Sequence, residues 1–125
     1  MNDRFKFRIW DKFCETWLTD FAINQDGKIN KFFNSEEALK RRFVLMQSTG
    51  LKDKNGKLIY EGDIVEVINC RGANAVVEFD IDLVMFKLKG EKFASSALQH
   101  IRKDYFEVIG NIYENKELLN DTSYR

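Results

Sequence analysis

Residues 46–67 read MQSTGLKDKNGKLIYEGDIVEV, and this stretch constrains the fold more than any other. Asn55-Gly56 is the strongest short hairpin signal in the chain. A type I′ turn needs positive φ at both central residues, which Asn and Gly tolerate best. Leu58, Ile59 and Tyr60 form the returning arm, and Glu61-Gly62-Asp63 breaks it. Ile64-Val65-Glu66-Val67-Ile68 is then a β segment rich in β-branched residues. Ser48-Thr49-Gly50 reads as a further turn. The stretch holds almost nothing a catalyst uses. Its Gly and Asn residues are the types that backbone turns demand, which points to a hairpin that sets the register of a sheet. Any functional use falls to its charged tip.

The remaining segments fit around a sheet. Phe5, Phe7 and Ile9 alternate with Lys6, Arg8 and Trp10, a period of two that predicts a half-buried strand over residues 4–10. Asp11-Lys12 reads as a turn, followed by an aromatic segment over residues 14–23. Asp26-Gly27 predicts a second type I′ hairpin with residues 28–33 as its return strand. One helix is expected over residues 35–42. Asn34 or Ser35 caps it, Glu36 and Glu37 sit in its first turn, and Lys40, Arg41 and Arg42 close it, an order that complements the helix dipole. Leu39 and Phe43 would share one face of it. Further strands are expected over residues 75–79, 83–88 and 106–113, with Gly110 marking a bulge or a close backbone approach. Residues 95–101 read as a helical turn or loop, and 114–119 as a short helix. The fold class is α+β, mainly β: a small SH3-like barrel or meander sheet with one short helix and an N-terminal hairpin. Residues 1–45 would form the hairpin and helix, 46–119 the β-rich core, and 120–125 a flexible tail, all in one compact unit.

Composition narrows the function. At 125 residues the chain has the length of one domain. Twenty Lys and Arg balance twenty Asp and Glu, whereas a dedicated nucleic-acid binder carries a net basic face. Cys14 and Cys70 belong to no CxxC or Cys/His cluster and read as unpaired thiols of a reducing compartment. The N-terminus MNDRFKFRIW has no apolar run of a signal peptide. No stretch reaches the ~18 apolar residues of a membrane span. A soluble, cytoplasmic protein is expected.

Catalytic and metal-binding patterns are missing. His100 is the sole histidine and has no second His or Cys pair to complete a ligand set. Ser95 and Ser96 lack the GxSxG setting of a hydrolase nucleophile. Asp53, Glu61 and Asp63 lack the spacing of a calcium loop. Asp80 and Asp82, two apart, would share a face if they lay on a strand, and solvated strand-end carboxylates outweigh a cation site there. Neither a Walker loop nor GxGxxG occurs. The chain therefore reads as no enzyme, with no cofactor and no metal. Candidate partner contacts are Lys52, Lys54 and Lys57, which surround the Asn55-Gly56 tip and are able to touch phosphates. Trp10 and Trp17 join them. They belong to an aromatic-rich N-terminal third where core packing is the default and an exposed share would make a subunit interface.

Three blocks together resemble the YopX family of phage and prophage proteins: FKFRIWD (5–11), LMQSTGLKDKNGKLIYEGDIVEV (45–67) and FEVIGNIYENKELL (106–119). They occur in the family's order and span nearly the whole chain. Ser48 stands where an aromatic is common, and Lys116 where Pro is common. The resemblance implies a small phage or prophage protein without an established activity, and it carries over no catalytic residues. It also implies a homo-oligomer and the cytoplasm of a bacterial host. The expected function is thus a non-enzymatic accessory protein, a binding or assembly module with a host or phage protein as partner. The alternative is a nucleic-acid-binding small barrel.

Overall fold

The computed structural model describes residues 3–30, 41–68, 73–90, 96–98 and 102–120. The chain divides into two compact units: residues 7–46, and residues 1–6 together with 47–125. The fold is mainly β and antiparallel, as expected. Among the described residues, helical structure amounts to short 3-10 turns and the pair Arg41-Arg42. That pair ends the segment predicted as a helix; the rest of the prediction lies outside the described residues.

The smaller unit contains β1 (Phe7–Asp11), β2 (Thr16–Trp17), β3 (Ala22–Ile23), β4 (Ile29–Asn30) and the start of β5 (Phe43–Lys52). β1 pairs antiparallel with β2, setting Trp10 opposite Trp17 and Asp11 opposite Thr16. β3 and β4 form a separate hairpin. Phe43 opens β5 and so belongs to a strand, where a helical face was expected. The first strand starts later than its alternation suggests, because residues Asp3–Phe5 form a 3-10 turn.

Asp11 organises this unit. Its carboxylate accepts from the backbone N–H groups of Phe13 (2.9 Å) and Cys14 (3.2 Å), which shapes the β1–β2 turn. It also accepts from Arg42 Nε at 3.0 Å and Nη2 at 2.9 Å. A two-pronged guanidinium–carboxylate contact of this kind is charge-assisted and geometrically specific. Arg42 thereby ties residues 31 apart in sequence. Its hydrogen bonds hold the Asp11 carboxyl well below the usual carboxylate range against the opposing effect of burial, with the Cys14 and Phe13 N–H groups adding to the shift. The same contact pushes Arg42 up.

The larger unit holds the rest of β5, β6 (Leu58–Tyr60), β7 (Asp63–Val67), β8 (Ala73–Asp80), β9 (Met85–Lys89), β10 (Ser96–Ala97) and β11 (Phe106–Asn111). Five strands form one sheet in the order β10-β9-β8-β7-β11. β7 to β10 are a meander, and β11 joins the open edge of β7 from far along the chain. Ser96 and Ala97 pair with β9 and Leu98 enters a 3-10 turn, so the described part of residues 95–101, expected as a helical turn or loop, is a short strand followed by a helical residue. The core gathers Ile59, Val65, Val67, Ala73, Ala75, Val77, Leu88, Leu98 and Phe106, all buried. Val65, Val67, Ala73, Ala75 and Val77 recur at every second position, the strand period read onto one face.

Ser48-Thr49-Gly50 is a bulge inside β5 and does not turn the chain. Register shifts between Ser48 and Lys52, and Gly50 adopts φ +81°. Between the Ser48–Tyr60 and Lys52–Leu58 pairs β5 has two more residues than β6, and they are held locally: Ser48 Oγ accepts from Gly50 N–H, Thr49 Oγ1 accepts from Leu51 N–H, and Thr49 O–H donates to the Ile59 carbonyl. A second bulge falls between Val108 and Gly110 in β11. A Cβ on Gly110 would sit 2.5 Å from Asn115 Oδ1, so this glycine serves both a bulge and a close approach.

The two expected type I′ hairpins are built differently. At Asn24–Lys28 and Asp53–Lys57 only the glycines, Gly27 and Gly56, have positive φ. Gly27 N–H donates to the Asn24 carbonyl and Gly56 N–H to the Asp53 carbonyl, the three-residue loop in which a left-handed glycine follows a type I turn. In each, the leading Asn24 or Asp53 side chain accepts from the N–H groups two and four residues on. Asp53 goes further. It is buried at 3% exposure, and its Oδ2 accepts from Val108 N–H at 2.9 Å. Lys54 N–H donates to the Phe106 carbonyl beside it. One carboxylate therefore shapes the β5–β6 turn and fastens it to β11.

Asp53→Ala leaves three N–H groups of this junction without an acceptor and is expected to cost about 3 kcal/mol in denaturant unfolding. Asn24→Ala, in the same turn design but exposed, is expected to cost about 1 kcal/mol or less. Asp11→Asn should cost about 2 kcal/mol at neutral pH. Because the folded pKa of Asp11 is depressed, its contribution is complete above the unfolded value of about 4 and fades as pH falls below it. Paired melts should therefore show the wild-type advantage over Asp11→Asn shrinking between about pH 5 and about pH 2.

Candidate functional site

The β8–β9 hairpin turns through Ile81, Asp82, Leu83 and Val84. Its last rung sets Asp80 opposite Met85, and the next sets Phe79 opposite Phe86. Asp80 Oδ1 accepts from the N–H groups of Asp82 (2.9 Å) and Leu83 (3.1 Å). Its Oδ2 lies 3.0 Å from Lys87 Nζ, which also reaches Glu78 at 3.5 Å. The Lys87 hydrogen bond lowers the Asp80 pKa, helped by the Leu83 N–H, and raises that of Lys87 in turn. Phe79 and Phe86 meet edge to face at 5.1 Å between centroids. This frame presents an apolar tip. Ile81 is 75% exposed, Leu83 56% and Val84 73%, and Phe79 below them is 37% exposed.

Val84 has φ +51°. A β-branched residue there crowds its own backbone, a genuine outlier that costs on the order of 1–3 kcal/mol. The propensities of Leu83 and Val84 predict the opening of a strand; in the structure both lie in the turn, and β9 begins at Met85.

The sequence-predicted contacts fall elsewhere. Lys52, Lys54 and Lys57 gather on the β5–β6 hairpin of the larger unit. Lys52 reaches Asp3 at 3.8 Å and Lys54 reaches Glu107 at 3.1 Å; Lys57 is exposed. Trp10 and Trp17 lie in the smaller unit, edge to face at 5.0 Å. Trp10 is buried at 5% exposure, and half-buried Trp17 lies under the Arg8 guanidinium, 4.6 Å from its ring centroid. Ser95, Cys70 and His100 lie outside the described residues. Asp63 Oδ2 accepts from Tyr60 N–H and Glu61 Oε1 from Gln47 N–H, so with Asp53 the three former metal candidates all hold backbone. Asp80 ends β8 while Asp82 stands in the turn, and the pair does not share a strand face. Among the described residues no group of three or more His, Cys, Asp or Glu is placed to hold a metal ion.

These features define a small antiparallel β protein that carries an apolar, strained hairpin tip. The YopX protein family matches residues 6–120 of the chain, and the chain belongs to that family. The crystal structure of protein EF1440 from Enterococcus faecalis is similar to it at 30% sequence identity and a TM-score of 0.64, covering 92% of this chain and 97% of that one. The crystal structure of protein yopX from Bacillus subtilis, at 22% identity and a TM-score of 0.55, covers 92% of this chain and 95% of its own and shares the fold. No curated protein matches the chain.

Val84→Gly removes the left-handed strain at an exposed site and is expected to raise stability by about 1 kcal/mol, since the relief exceeds the entropy lost by glycine. Thermal and denaturant melts test it; a destabilised variant would mean that Val84 packs more than it strains.

Proposed function

We propose that this protein is a non-enzymatic phage or prophage accessory module that works by binding or assembly in a bacterial host's cytoplasm. The observation that carries the reading is the β8–β9 tip, where Ile81, Leu83 and Val84 stand in water on a frame made rigid by the Asp80 turn and the Phe79–Phe86 pair. Apolar side chains kept exposed together mark a surface for another protein. Nucleic-acid binding has less support. The net charge is zero, and two of the three tip lysines are already matched by Asp3 and Glu107.

Light scattering over a range of protein concentrations, with and without labelled DNA and RNA, tests the reading. Mass is expected to rise with concentration, to be unaffected by nucleic acid, and to stay low in an Ile81→Asn, Leu83→Asn, Val84→Gly variant that melts normally. A constant monomer mass with saturable, salt-sensitive nucleic-acid binding would replace this reading with a nucleic-acid-binding one.

A further inference from the structure

Two exposed patches of the larger unit carry opposite charge. The first is the tip. From residue 78 to 87 the hairpin holds Glu78, Asp80 and Asp82 against Lys87, three carboxylates to one ammonium, a net of two negative charges. The second lies where the Asp3–Phe5 turn rests on β5. Gln47 Nε2 donates to the Arg4 carbonyl at 3.1 Å and Ser48 N–H to that of Lys6 at 2.9 Å. Gly50 lets the two segments approach: a Cβ there would meet Arg4 Cβ at 3.0 Å. Phe5 and Leu51 are exposed here. Among the described residues around them, Arg4, Lys6 and Lys52 stand against Asp3, which reaches Lys6 at 3.3 Å and Lys52 at 3.8 Å, and Glu61, whose Oε1 accepts from Gln47 N–H at 2.8 Å. Three cations to two anions leave a net of one positive charge.

We propose that the acidic apolar tip of one copy docks on the basic apolar Phe5–Leu51 patch of a second copy. This rests on the reading of the tip as a protein-binding surface and names its partner. Docking removes Ile81, Leu83 and Val84 from water against Phe5 and Leu51, and brings Asp82 toward Arg4 and Lys52. Tip-to-tip pairing would instead set two negative surfaces together, and nucleic acid or an anionic membrane would repel the tip in the same way. The contact is heterologous, since each copy offers one tip and one patch. Association therefore continues past two copies, into a ring if the rotation closes and an open filament if it does not. One hairpin tip against one small patch makes a weak contact alone, and closure of a ring would strengthen it. Exposed charges make it salt-sensitive.

Sedimentation velocity of the full chain tests this with three variants at exposed positions. Leu83→Lys damages only the tip and Phe5→Glu only the patch. Each alone should stay monomeric where the wild type associates. Mixed in equal amounts they should form a dimer and nothing larger, because one intact tip meets one intact patch. Asp82→Lys should weaken association roughly tenfold and flatten its salt dependence. A wild type that stays monomeric, or a mixture that does not dimerise, overturns the proposal. If Leu83→Lys abolishes association and Phe5→Glu does not, the tip binds but not to this patch, and only the present inference falls. If Leu83→Lys leaves association intact, the reading of the tip falls with it.

Discussion

The Asp53 carboxylate closes the larger unit. Its two oxygens accept three N–H groups, two from the β5–β6 turn and one from Val108, 55 residues further along the chain. Local and distant structure meet at one side chain. Without that acceptor the N–H of half-buried Val108 loses its partner, and the hairpin loses its tie to the strand that completes the sheet. A carboxylate suits the place because it offers several lone pairs and, as an ion, makes stronger bonds to N–H donors than a neutral group. Its near-complete burial is tolerable because those donors satisfy it. β11 in turn pairs with β7, whose Val65 and Val67 sit in the core, so the bond from Asp53 reaches the centre of the unit in two steps.

The same device recurs at the other turns. Asp11 serves the N–H groups of Phe13 and Cys14, Asn24 those of Asp26 and Lys28, Asp80 those of Asp82 and Leu83, and Asn111 those of Tyr113 and Glu114. A chain without proline has no residue that presets a turn's φ, and Asx side chains mimic a backbone turn in its place. This explains why acidic residues that invited a chemical reading hold structure. Asp53, Asp63 and Asp80 all spend lone pairs on backbone N–H groups.

Much of the fold was legible because strand alternation and turn residues are local signals. The runs at Leu58–Tyr60 and Ile64–Val67, the glycines at 27 and 56, and the strand from Phe106, expected to reach residue 113 and ending at Asn111, are readable without tertiary contacts. What was not legible depends on partners distant in sequence. The Lys40-Arg41-Arg42 run reads as a helix end, yet Arg42 spans to Asp11, and nothing local to either announces the other. Gly50 reads as a turn because the registry that makes it a bulge belongs to β6. Trp10 and Trp17 read alike, but strand pairing leaves one buried and the other half-buried. The tip escaped for a related reason. Leu83 and Val84 have the propensity of a strand, and only the pairing of Asp80 with Met85 puts them outside one.

The position of Val84 in the turn bears on function. In the turns at 24–28 and 53–57 the left-handed position is held by glycine. The turns after Asp11 and Asp80 also share a design: each aspartate accepts from the N–H groups two and three residues on, and the fourth residue is left-handed, Glu15 at φ +54° and Val84 at φ +51°. Glutamate there is unfavourable but unbranched and solvated. Valine is the worse choice twice over, for its branched Cβ clashes with the backbone and its methyl groups face water. Glycine or asparagine would relieve both at once. Strain and exposure thus fall on one residue, beside two other exposed aliphatic side chains, on a hairpin otherwise firmly held. Nothing in folding the hairpin calls for them, whereas removing them from water against another surface recovers what their exposure costs.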